Sequence, residues 1–352
     1  MTEHTGTPRV SVVVPVWNGE RYLRESLDSI LRQTFTSLEV IVVDDASTDG
    51  TEQIVRSFGD GVRYHRQSVK RGIYGNANDG IGLARGELIA IYHADDIYDP
   101  TIVEREVAFL DRYRECGAVF TSMIMMDPSG AETGRLEIPK EVRGNRPLSY
   151  GVVLNALLRY KNRFLMCPSS MVRASVYREI GGYRDTEFLN TSDLEMWLRI
   201  SRTYAIGVLE QPLFRYRFGH GNSAQKYHSL RTDPERYFRI VDLYLEQDGC
   251  RFAAADALLA HDAHRAEDAL MRAIKAYILE RLDESRRILD EVRPASILRS
   301  PQVQRARLML IYLALRLLLR LPRMPLVARA MSARWVERRR VGPRARPTLA
   351  SA

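Results

Sequence analysis

Three observations predict an α/β domain with a mostly parallel sheet, followed by a small helical region. Short apolar runs alternate with segments of helical periodicity through the first 112 residues, which is typical of strands joined by helices. Two of these runs end directly in paired carboxylates, Asp44-Asp45 and Asp95-Asp96. From about Lys226 onwards, helix-forming residues dominate. We therefore divide the chain into an α/β domain over residues 1–225, a helical domain over 226–300 and an amphipathic, arginine-rich tail over 301–352.

Each element of the α/β domain is predicted from its own pattern. The run over residues 10–16 is rich in β-branched side chains and is followed by the turn residues Trp17-Asn18-Gly19. Similar runs predict strands over 39–43, 62–66, 87–93 and 212–218, with an extended segment over 167–173. Helical spacing predicts helices over 20–33, 51–58, 78–84, 103–112, 148–160, 174–180 and 193–202. The stretch 118–146 has a weaker pattern, and the helical domain is predicted to hold helices over 234–246, 252–280 and 282–292.

The positive charge of the chain is concentrated at its C-terminal end. The whole sequence has a net charge of +8, whereas residues 300–352 hold 12 arginines, no lysine and one acid, a net +11. The preceding 299 residues therefore carry a net −3. This distribution argues against a nucleic-acid groove in the α/β domain and predicts an anionic partner for the tail.

Cysteine usage and hydropathy predict a cytoplasmic location. The three cysteines, Cys116, Cys167 and Cys250, are far apart and form no CxxC pair, which indicates a reducing compartment. The first residues lack the apolar core of a signal sequence, and no apolar run reaches the roughly 18 residues that a membrane span requires. We expect neither a signal sequence nor a spanning helix.

The two acidic pairs are the main candidates for a functional site. Because the carboxyl ends of parallel strands lie at one edge of a sheet, Asp44-Asp45 and Asp95-Asp96 are expected to share one crevice. Adjacent carboxylates repel each other, and a divalent metal that holds a diphosphate would compensate them. The alternatives are that the first pair caps the next helix and that the second lies in a solvated loop. His93 is interpreted as a structural hydrogen-bonding residue rather than a ligand.

Several motifs together resemble the family-two glycosyltransferases, which have the GT-A fold, a Rossmann-like domain. The resemblance runs from about Arg9 to Ala224, roughly two-thirds of the chain. It is carried by Val13-Val14-Pro15-Val16-Trp17-Asn18-Gly19, the helix Ser26 to Thr34, Val42-Val43-Asp44-Asp45-Ala46-Ser47-Thr48-Asp49-Gly50-Thr51, Ala84-Arg85-Gly86-Glu87, Ala94-Asp95-Asp96 and Ser192-Asp193-Leu194-Glu195-Met196-Trp197-Leu198-Arg199. These motifs occur in order at suitable separations, which makes the set far more specific than any one of them.

The resemblance implies a nucleotide-sugar donor, most often a UDP-sugar, and Mg²⁺ or Mn²⁺ as cofactor. Pro15 and Asn18 would line the nucleoside pocket, with Glu20 close by. Asp45 would accept a hydrogen bond from the uracil imide. Asp95 would reach the ribose or the sugar, and Asp96 would bind the metal. Family members often have an aspartate where this chain has His93, so the full ligand set is left open.

The resemblance also places Asp193 at the position of the catalytic base. A carboxylate there would remove the proton of an acceptor hydroxyl as it attacks the anomeric carbon, a contribution of about 10²–10⁴-fold. Attack from the face opposite the leaving group inverts the anomeric configuration. The alternative is that Asp193 only caps the helix that follows it.

The segment after the last predicted strand resembles the flexible segment of the family. Arg217 would contact the diphosphate, and His220 its metal, when this segment closes over the donor. Gly219 and Gly221 would permit that movement. The alternative is an ordinary surface loop.

The tail contains an amphipathic pattern over residues 308–320. On a helical wheel Arg305, Tyr312, Arg316 and Arg320 share one side, with leucine and isoleucine over the rest. We expect this helix to lie in a membrane interface, with Arg338-Arg339-Arg340 against anionic lipid. The alternative is a helix that packs on the catalytic domain or in a dimer.

The predicted function is an inverting, metal-dependent glycosyltransferase on the inner face of a membrane, acting on a glycan or lipid-linked acceptor. Three other functions are alternatives to this one. The first is a nucleotidyltransferase, which would need a glycine-rich, basic phosphate loop after the first strand, where this chain has Trp17-Asn18-Gly19-Glu20. The second is a non-catalytic scaffold that binds nucleotide sugars. The third is nucleic-acid binding through the tail, which we do not expect.

Overall fold

The computed structural model describes residues 6–219, 231–299 and 302–321. The chain divides into two compact units, Met1–His220 and Gly221–Ala352. The candidate site residues belong to the first unit, whereas the tail belongs to the second.

The described residues of the first unit contain one nine-stranded mixed sheet. The strands are β1 Val10–Val16, β2 Leu38–Asp44, β3 Arg63–Arg66, β4 Leu88–Ile91, β5 Ile97–Tyr98, β6 Cys116–Met126, β7 Glu132–Arg135, β8 Ser170–Arg173 and β9 Ala205–Arg217. Their order in the sheet is β3-β2-β1-β4-β8-β6-β9-β5, with β7 paired to β6. The pairs β1–β2, β1–β4, β2–β3 and β6–β9 are parallel and account for most of the paired residues. The remaining neighbours run antiparallel.

Seven of the eight helices described in the first unit lie where the sequence predicts them. The eight helices are α1 Leu23–Leu31, α2 Thr51–Arg56, α3 Ile73–Leu83, α4 Ile102–Arg112, α5 Tyr150–Tyr160, α6 Ala174–Ile180, α7 Asp185–Phe188 and α8 Ser192–Thr203, of which α7 is not predicted. Short 3₁₀ turns lie at Gly59–Gly61, Lys140–Val142, Cys167–Ser169 and Leu189–Thr191. Helix α3 begins five residues earlier than the predicted 78, at Ile73, because the glycines of this stretch are accommodated in the helix.

Strand β1 lies inside the sheet, and all seven of its residues are buried, as its largely apolar, valine-rich sequence predicts. The buried carboxylate of Glu39 on β2 accepts hydrogen bonds from Ser11 and Arg63 side chains and from the Arg85 backbone. Gly86 lies against β1 so closely that a Cβ atom would come within 2.6 Å of the Ser11 backbone nitrogen. These contacts fix the start of β4 beside β1.

The sequence prediction misses three strands, β5, β6 and β7, and begins a fourth, β9, too late. The longest missed strand lies in the weakly patterned stretch 118–146, where residues Cys116–Met126 form an 11-residue strand between β8 and β9. Strand β9 was predicted to begin at Pro212 and instead begins at Ala205. Its register with β6 shifts between the pairs Thr121–Leu209 and Ser122–Pro212. This bulge accommodates the proline, which otherwise reads as a strand break.

The described residues of the second unit form helices around a separate apolar core. They are α9 Arg236–Gln247, a 3₁₀ turn at Gly249–Arg251, α10 Ala255–Ile278, α11 Leu282–Asp290, α12 Pro294–Leu298 and α13 Gln302–Leu318. The core brings Leu270 of α10, Leu289 of α11 and Ile297 of α12 together with Leu308 and Leu315 of α13. The predicted tail helix therefore packs one face into this unit. Among the described residues, no helix is long and apolar enough to cross a bilayer.

Candidate active site

The site begins at the edge of the sheet where β2, β1 and β4 end side by side. Val16 of β1 pairs with Asp44 of β2, and Val13 pairs with Ile91 of β4, all in parallel register. The chain therefore leaves these three strands at one edge, as predicted from the order of strands and acids.

The loop after β1 is joined to the loop after β2 through Asn18. This residue is exposed and has a φ of 51°, a conformation that asparagine tolerates better than most side chains. Its backbone N–H donates to Ser47 Oγ over 2.8 Å, and its Oδ1 accepts from the Thr48 N–H over 2.9 Å. Glu20 is exposed and accepts from the Gly50 N–H over 3.2 Å. Pro15, in contrast, is buried within β1.

The two acids after β2 have different surroundings. Asp44 is fully buried and accepts hydrogen bonds from the Ser47 N–H and the Tyr64 hydroxyl, so its role is structural. Asp45 is 2% exposed, and its two oxygens accept from the backbone N–H groups of Arg71 and Gly72 over 2.5 and 2.9 Å. Asp45 thus holds the turn into α3. Each of its oxygens keeps a second lone pair that can accept from a ligand.

After β4, one imidazole and two carboxylates gather at the site. One potential ligand atom each from His93, Asp95 and Asp96 lies within 4.8 Å of the other two. Asp96 is 1% exposed, and its Oδ1 accepts the Arg217 backbone N–H over 2.9 Å. Its Oδ2 is buried and has no hydrogen-bond partner among the described residues. Leaving a carboxylate oxygen buried and unpaired is costly unless a ligand satisfies it.

Burial shifts the pKa values of Asp96 and His93 in opposite directions. Burial, reinforced by the charge of Asp95, raises the pKa of Asp96 well above its usual range, against the opposing effect of Arg217. Burial lowers the pKa of His93, so the imidazole is held in its neutral form, which is the form that ligates metals. A divalent cation would offset the cost of burial and favour the ionised form of Asp96. The unpaired Asp96 oxygen, the Asp95 carboxylate and the neutral imidazole supply ligand atoms that fit such a cation.

A buried aromatic layer supports the acidic loop. The Tyr98 hydroxyl accepts the backbone N–H of His93 over 2.6 Å. The ring of Tyr98 stacks on that of Tyr92 with the centroids 4.0 Å apart, and the Tyr92 hydroxyl donates to Glu106. The Ser26 hydroxyl donates to the His93 carbonyl. These hydrogen bonds hold the backbone of the loop that begins at His93, independently of any bound ion.

Arg217 is almost completely buried, at 2% exposure. Its guanidinium donates to the Asp95 carbonyl over 2.9 Å, to Glu25 over 2.7 Å and to the Pro128 carbonyl over 3.3 Å. It also lies over the ring of Tyr22, 4.3 Å from the centroid. The structure thus gives Arg217 a clear contact with the acidic loop, and its predicted contact with the diphosphate stays a prediction. His220, predicted as a metal ligand, lies outside the described residues.

Asp193 lies in the first turn of α8 and is partly buried. Burial raises the pKa of its carboxyl group to about 6, although hydrogen bonds from the Leu194 N–H and the Tyr74 hydroxyl oppose the shift. Tyr74 belongs to the first turn of α3, two residues after Gly72, which Asp45 binds. Asp45 and Asp193 therefore contact the same turn from different parts of the chain.

The acids converge around Tyr216. Burial raises the pKa of this phenol, and the charges of Asp96, Asp95 and Asp193 raise it further, in that order. One side chain thus lies within electrostatic range of all three carboxyl groups, although Asp193 is 97 residues away from Asp96 in the chain. The predicted metal ligand and the predicted base occupy one neighbourhood.

Comparison with known proteins identifies the family. Residues 11–181 match the profile described as glycosyl transferase family 2. EpsE of Bacillus subtilis, named as a glycosyltransferase, is 30% identical over 220 residues, which cover 60% of this chain and 73% of EpsE. This chain belongs to glycosyl transferase family 2. The resemblance found in the motifs is confirmed, and the protein is a glycosyltransferase.

Further relatives of this glycosyltransferase differ in length. RP339 of Rickettsia prowazekii, an uncharacterized glycosyltransferase, is 38% identical over 250 residues, which cover 70% of this chain and 74% of RP339. A longer relative from Rickettsia felis is 29% identical over 223 residues, and this chain spans only 36% of its length.

Solved structures confirm the GT-A fold of this glycosyltransferase. S. aureus TarS 1–349 in complex with UDP has a TM-score of 0.57 at 18% identity, with 86% of each chain covered. Mannosyltransferase PcManGT from Pyrobaculum calidifontis, in complex with GDP-Man and Mn²⁺, has a TM-score of 0.54 at 19% identity, covering 95% of this chain and 87% of that one. At these identities the likeness establishes the fold.

Several residues of the glycosyltransferase site were absent from the sequence prediction. Tyr74 hydrogen-bonds to Asp193 and Glu25 to Arg217, and Tyr216 lies within electrostatic range of the predicted acids. Each of the three lies inside a predicted helix, strand or glycine-rich stretch and was not singled out by a motif. From the sequence, His93 is predicted to have a structural role, whereas the structure places its imidazole beside both acids. The position of His93 two residues before Asp95 is the feature of the sequence that indicates this proximity.

Proposed function

We propose that this glycosyltransferase is an inverting enzyme that moves a sugar from a nucleotide-sugar donor, most simply a UDP-sugar, to a hydroxyl group of a glycan or lipid-linked acceptor. The observation that carries the proposal is that Asp95, Asp96 and Asp193 all lie close enough to Tyr216 for their charges to raise its pKa. A cation site and a general base then act on the same sugar, one at the leaving diphosphate and one at the incoming hydroxyl.

The donor assignment is supported by the fold neighbours and by the loops at the sheet edge. TarS has been solved with UDP and with UDP-GlcNAc, and PcManGT with GDP-Man and Mn²⁺. In this chain, Asn18 and Glu20 are exposed beside the β2 loop, and Asp45 retains lone pairs for a donor such as the uracil imide. Pro15 shapes the end of β1 from within the strand.

Mg²⁺ or Mn²⁺ would be held by Asp96, together with Asp95 or His93. A divalent cation bound there supplies positive charge that offsets the charge of the departing nucleoside diphosphate. Arg217 keeps the Asp95 carbonyl and Asp96 Oδ1 in place through its side chain and its backbone. Asp96 Oδ2 remains available to the ligand.

Asp193 would take the proton of the acceptor hydroxyl. Its pKa of about 6 leaves the carboxylate ionised at neutral pH while keeping it basic enough to accept a proton in the transition state. The Tyr74 hydroxyl donates to it and so fixes its orientation. The oxygen of the acceptor forms the bond to the anomeric carbon as the bond to the diphosphate breaks on the opposite face, which inverts the configuration.

We further place the enzyme on the inner face of a membrane as a peripheral protein. Support comes from the sequence of residues 300–352, with 12 arginines and one acid, because anionic lipid attracts such segments by about 1 kcal/mol per basic residue near the surface. A lipid-linked acceptor would be reached most directly from that position.

Donor screening tests the proposal. The full chain is melted with UDP-GlcNAc, UDP-glucose, UDP-galactose or GDP-mannose, each with Mn²⁺ or with a chelator. At a hundredfold excess over its dissociation constant, the correct donor adds about 2.7 kcal/mol to the free energy of unfolding. We expect one UDP-sugar to raise the melting temperature with Mn²⁺ and much less with the chelator. Equal stabilisation with and without Mn²⁺ would contradict the metal assignment, and a response to GDP-mannose alone would contradict the UDP assignment.

A further inference from the structure

Helix α13 and the turn after it have two opposite apolar faces. One is buried in the core of the second unit and consists of Leu308, Tyr312, Leu315 and Leu319. The other, which we call the leucine face, is exposed and consists of Leu310, Leu313, Leu317 and Leu321, with exposures of 67, 55, 61 and 42%. The exposed side of the helix therefore carries a row of leucines. Tyr312, which the sequence places on the polar side, is instead buried in the core of the second unit.

The leucine face forms one continuous stripe. Within the helix, Leu310, Leu313 and Leu317 are spaced by three and four positions, which at 100° per residue places them within an arc of about 60°, and Leu321 follows in the turn after the helix. Single exposed leucines are common on soluble proteins, but contiguous apolar stripes mark surfaces that bind something. The opposite face already supplies the packing of this helix, so the fold of the unit does not require the leucine face.

Positive charge borders this stripe. Residues 302–321 contain four arginines and no acid. Arg316 is engaged within the unit, because it pairs with Asp290 over 2.9 Å and donates to the Tyr312 hydroxyl. Arg307 and Arg320 are exposed. Directly after Leu321, residues 322–352 add eight arginines against one acid.

We propose that the leucine face docks on an anionic phospholipid bilayer, with α13 lying in the plane of the interface. An apolar stripe with arginines beside it matches a surface whose interior is apolar and whose headgroups are negative. The exposed Arg307 and Arg320 favour a negatively charged surface over a second copy of this segment, which contains four arginines and no acid. The inference deepens the membrane location proposed above by naming the surface that makes the contact.

Vesicle binding of the full chain tests the leucine face. We expect sedimentation with vesicles of phosphatidylcholine and phosphatidylglycerol at physiological salt, and little with phosphatidylcholine alone. The double substitution Leu313→Gln and Leu317→Gln should weaken binding at least tenfold. The reason is that each leucine, once buried in the lipid, contributes a large part of the favourable free energy of membrane binding. The matched control is Leu259→Gln, an exposed leucine of α10 at 40% exposure, which should bind like wild type. Unchanged binding by the double variant would overturn the proposal.

A fluorescence measurement keeps the proposal testable if the double variant folds poorly. Cys250 is the exposed cysteine, whereas Cys116 and Cys167 are buried, so Cys250→Ser provides a background for labelling. An environment-sensitive dye at Leu317→Cys should brighten when anionic vesicles are added, and the same dye at Leu259→Cys should not. A dye at Leu317→Cys that is already bright and does not respond would show that protein covers this face, and the proposal would fail.

Two controls separate this inference from the proposed function. Mn²⁺-dependent stabilisation by the donor should be unchanged in the Leu313→Gln and Leu317→Gln variant, because the substitutions leave the first unit intact. Light scattering should show the same molar mass for both proteins. A wild-type dimer that becomes monomeric in the variant, without vesicle binding by the wild type, would assign the face to a second copy and overturn the membrane proposal.

Discussion

Replacing Asp193 with asparagine removes the proposed base while keeping its shape. Asparagine retains a carbonyl oxygen that can accept from the Tyr74 hydroxyl and the Leu194 N–H. At pH 7.5, an acid with a pKa of about 6 is ionised in about 97% of molecules, so nearly all of the wild-type enzyme holds a working base. Loss of a positioned base costs about 10²–10⁴-fold, which corresponds to about 3–5.5 kcal/mol of transition-state stabilisation. We expect Asp193→Asn to lower kcat by that factor.

The same substitution is expected to leave the fold stable or to stabilise it. Burial raises the pKa of Asp193 from 3.8 to about 6, so the carboxylate destabilises the folded state above pH 6 by at most about 3 kcal/mol. A negative charge in the first turn of α8 also stabilises the helix, so its removal lowers the free energy of unfolding by about 0.3–1 kcal/mol. The first effect exceeds the second, which predicts an unchanged or higher melting temperature. A residue that served only as a helix cap would lower it.

Two measurements on Asp193→Asn decide the matter. Release of UDP is followed with the donor selected by thermal shift and a membrane extract as acceptor, and donor binding is measured by calorimetry with Mn²⁺. We expect turnover to fall at least a hundredfold with donor affinity within about threefold of wild type. Turnover within threefold of wild type would remove Asp193 from the mechanism, and a lost turnover with a clearly lower melting temperature would assign it a structural role.

Three further predictions follow from the geometry of the first unit. Below pH 6, kcat/KM should fall about tenfold per pH unit as Asp193 is protonated, and a flat profile from pH 5 to 8 would argue against a base with this pKa. Arg217→Lys should weaken Mn²⁺ binding about tenfold in titrations, because lysine cannot reproduce the forked contact with Asp95 and Glu25; an unchanged affinity would contradict the positioning role. Gly86→Ala should lower the free energy of unfolding by about 3 kcal/mol or more in denaturant titrations, since its Cβ would meet β1 backbone atoms, whereas Gly82→Ala, with nothing within 4 Å, should be neutral or stabilising.

The sequence predicted the parts of the fold that have a strong local signal. The apolar run of β1 and the paired acids after β2 and β4 placed the sheet edge correctly, because parallel neighbours end together. The sequence did not reveal β6, whose apolar residues are buried on both faces and show no alternation. It also placed the start of β9 too late, since a bulge that absorbs Pro212 depends on the partner strand.

The candidate site was predictable where a motif carries the chemistry, and not where distant contacts do. Asp96 and Asp193 could be named from their motifs. That Arg217 is buried and held by Glu25 depends on residues 192 positions apart. The raised pKa of Asp193 likewise arises from burial, which the order of residues along the chain does not specify.

Manganese binding by the Asp96→Asn variant tests most directly whether Asp96 belongs to a cation site that also binds the diphosphate of the donor. Free Mn²⁺ is measured by electron paramagnetic resonance for wild type, for Asp96→Asn and for Asp60→Asn, an exposed acid used as the control, each with and without UDP. We expect UDP to strengthen Mn²⁺ binding in wild type and in Asp60→Asn, and the affinity of Asp96→Asn to be at least tenfold weaker with UDP present. Equal Mn²⁺ and UDP binding by all three proteins would contradict the account.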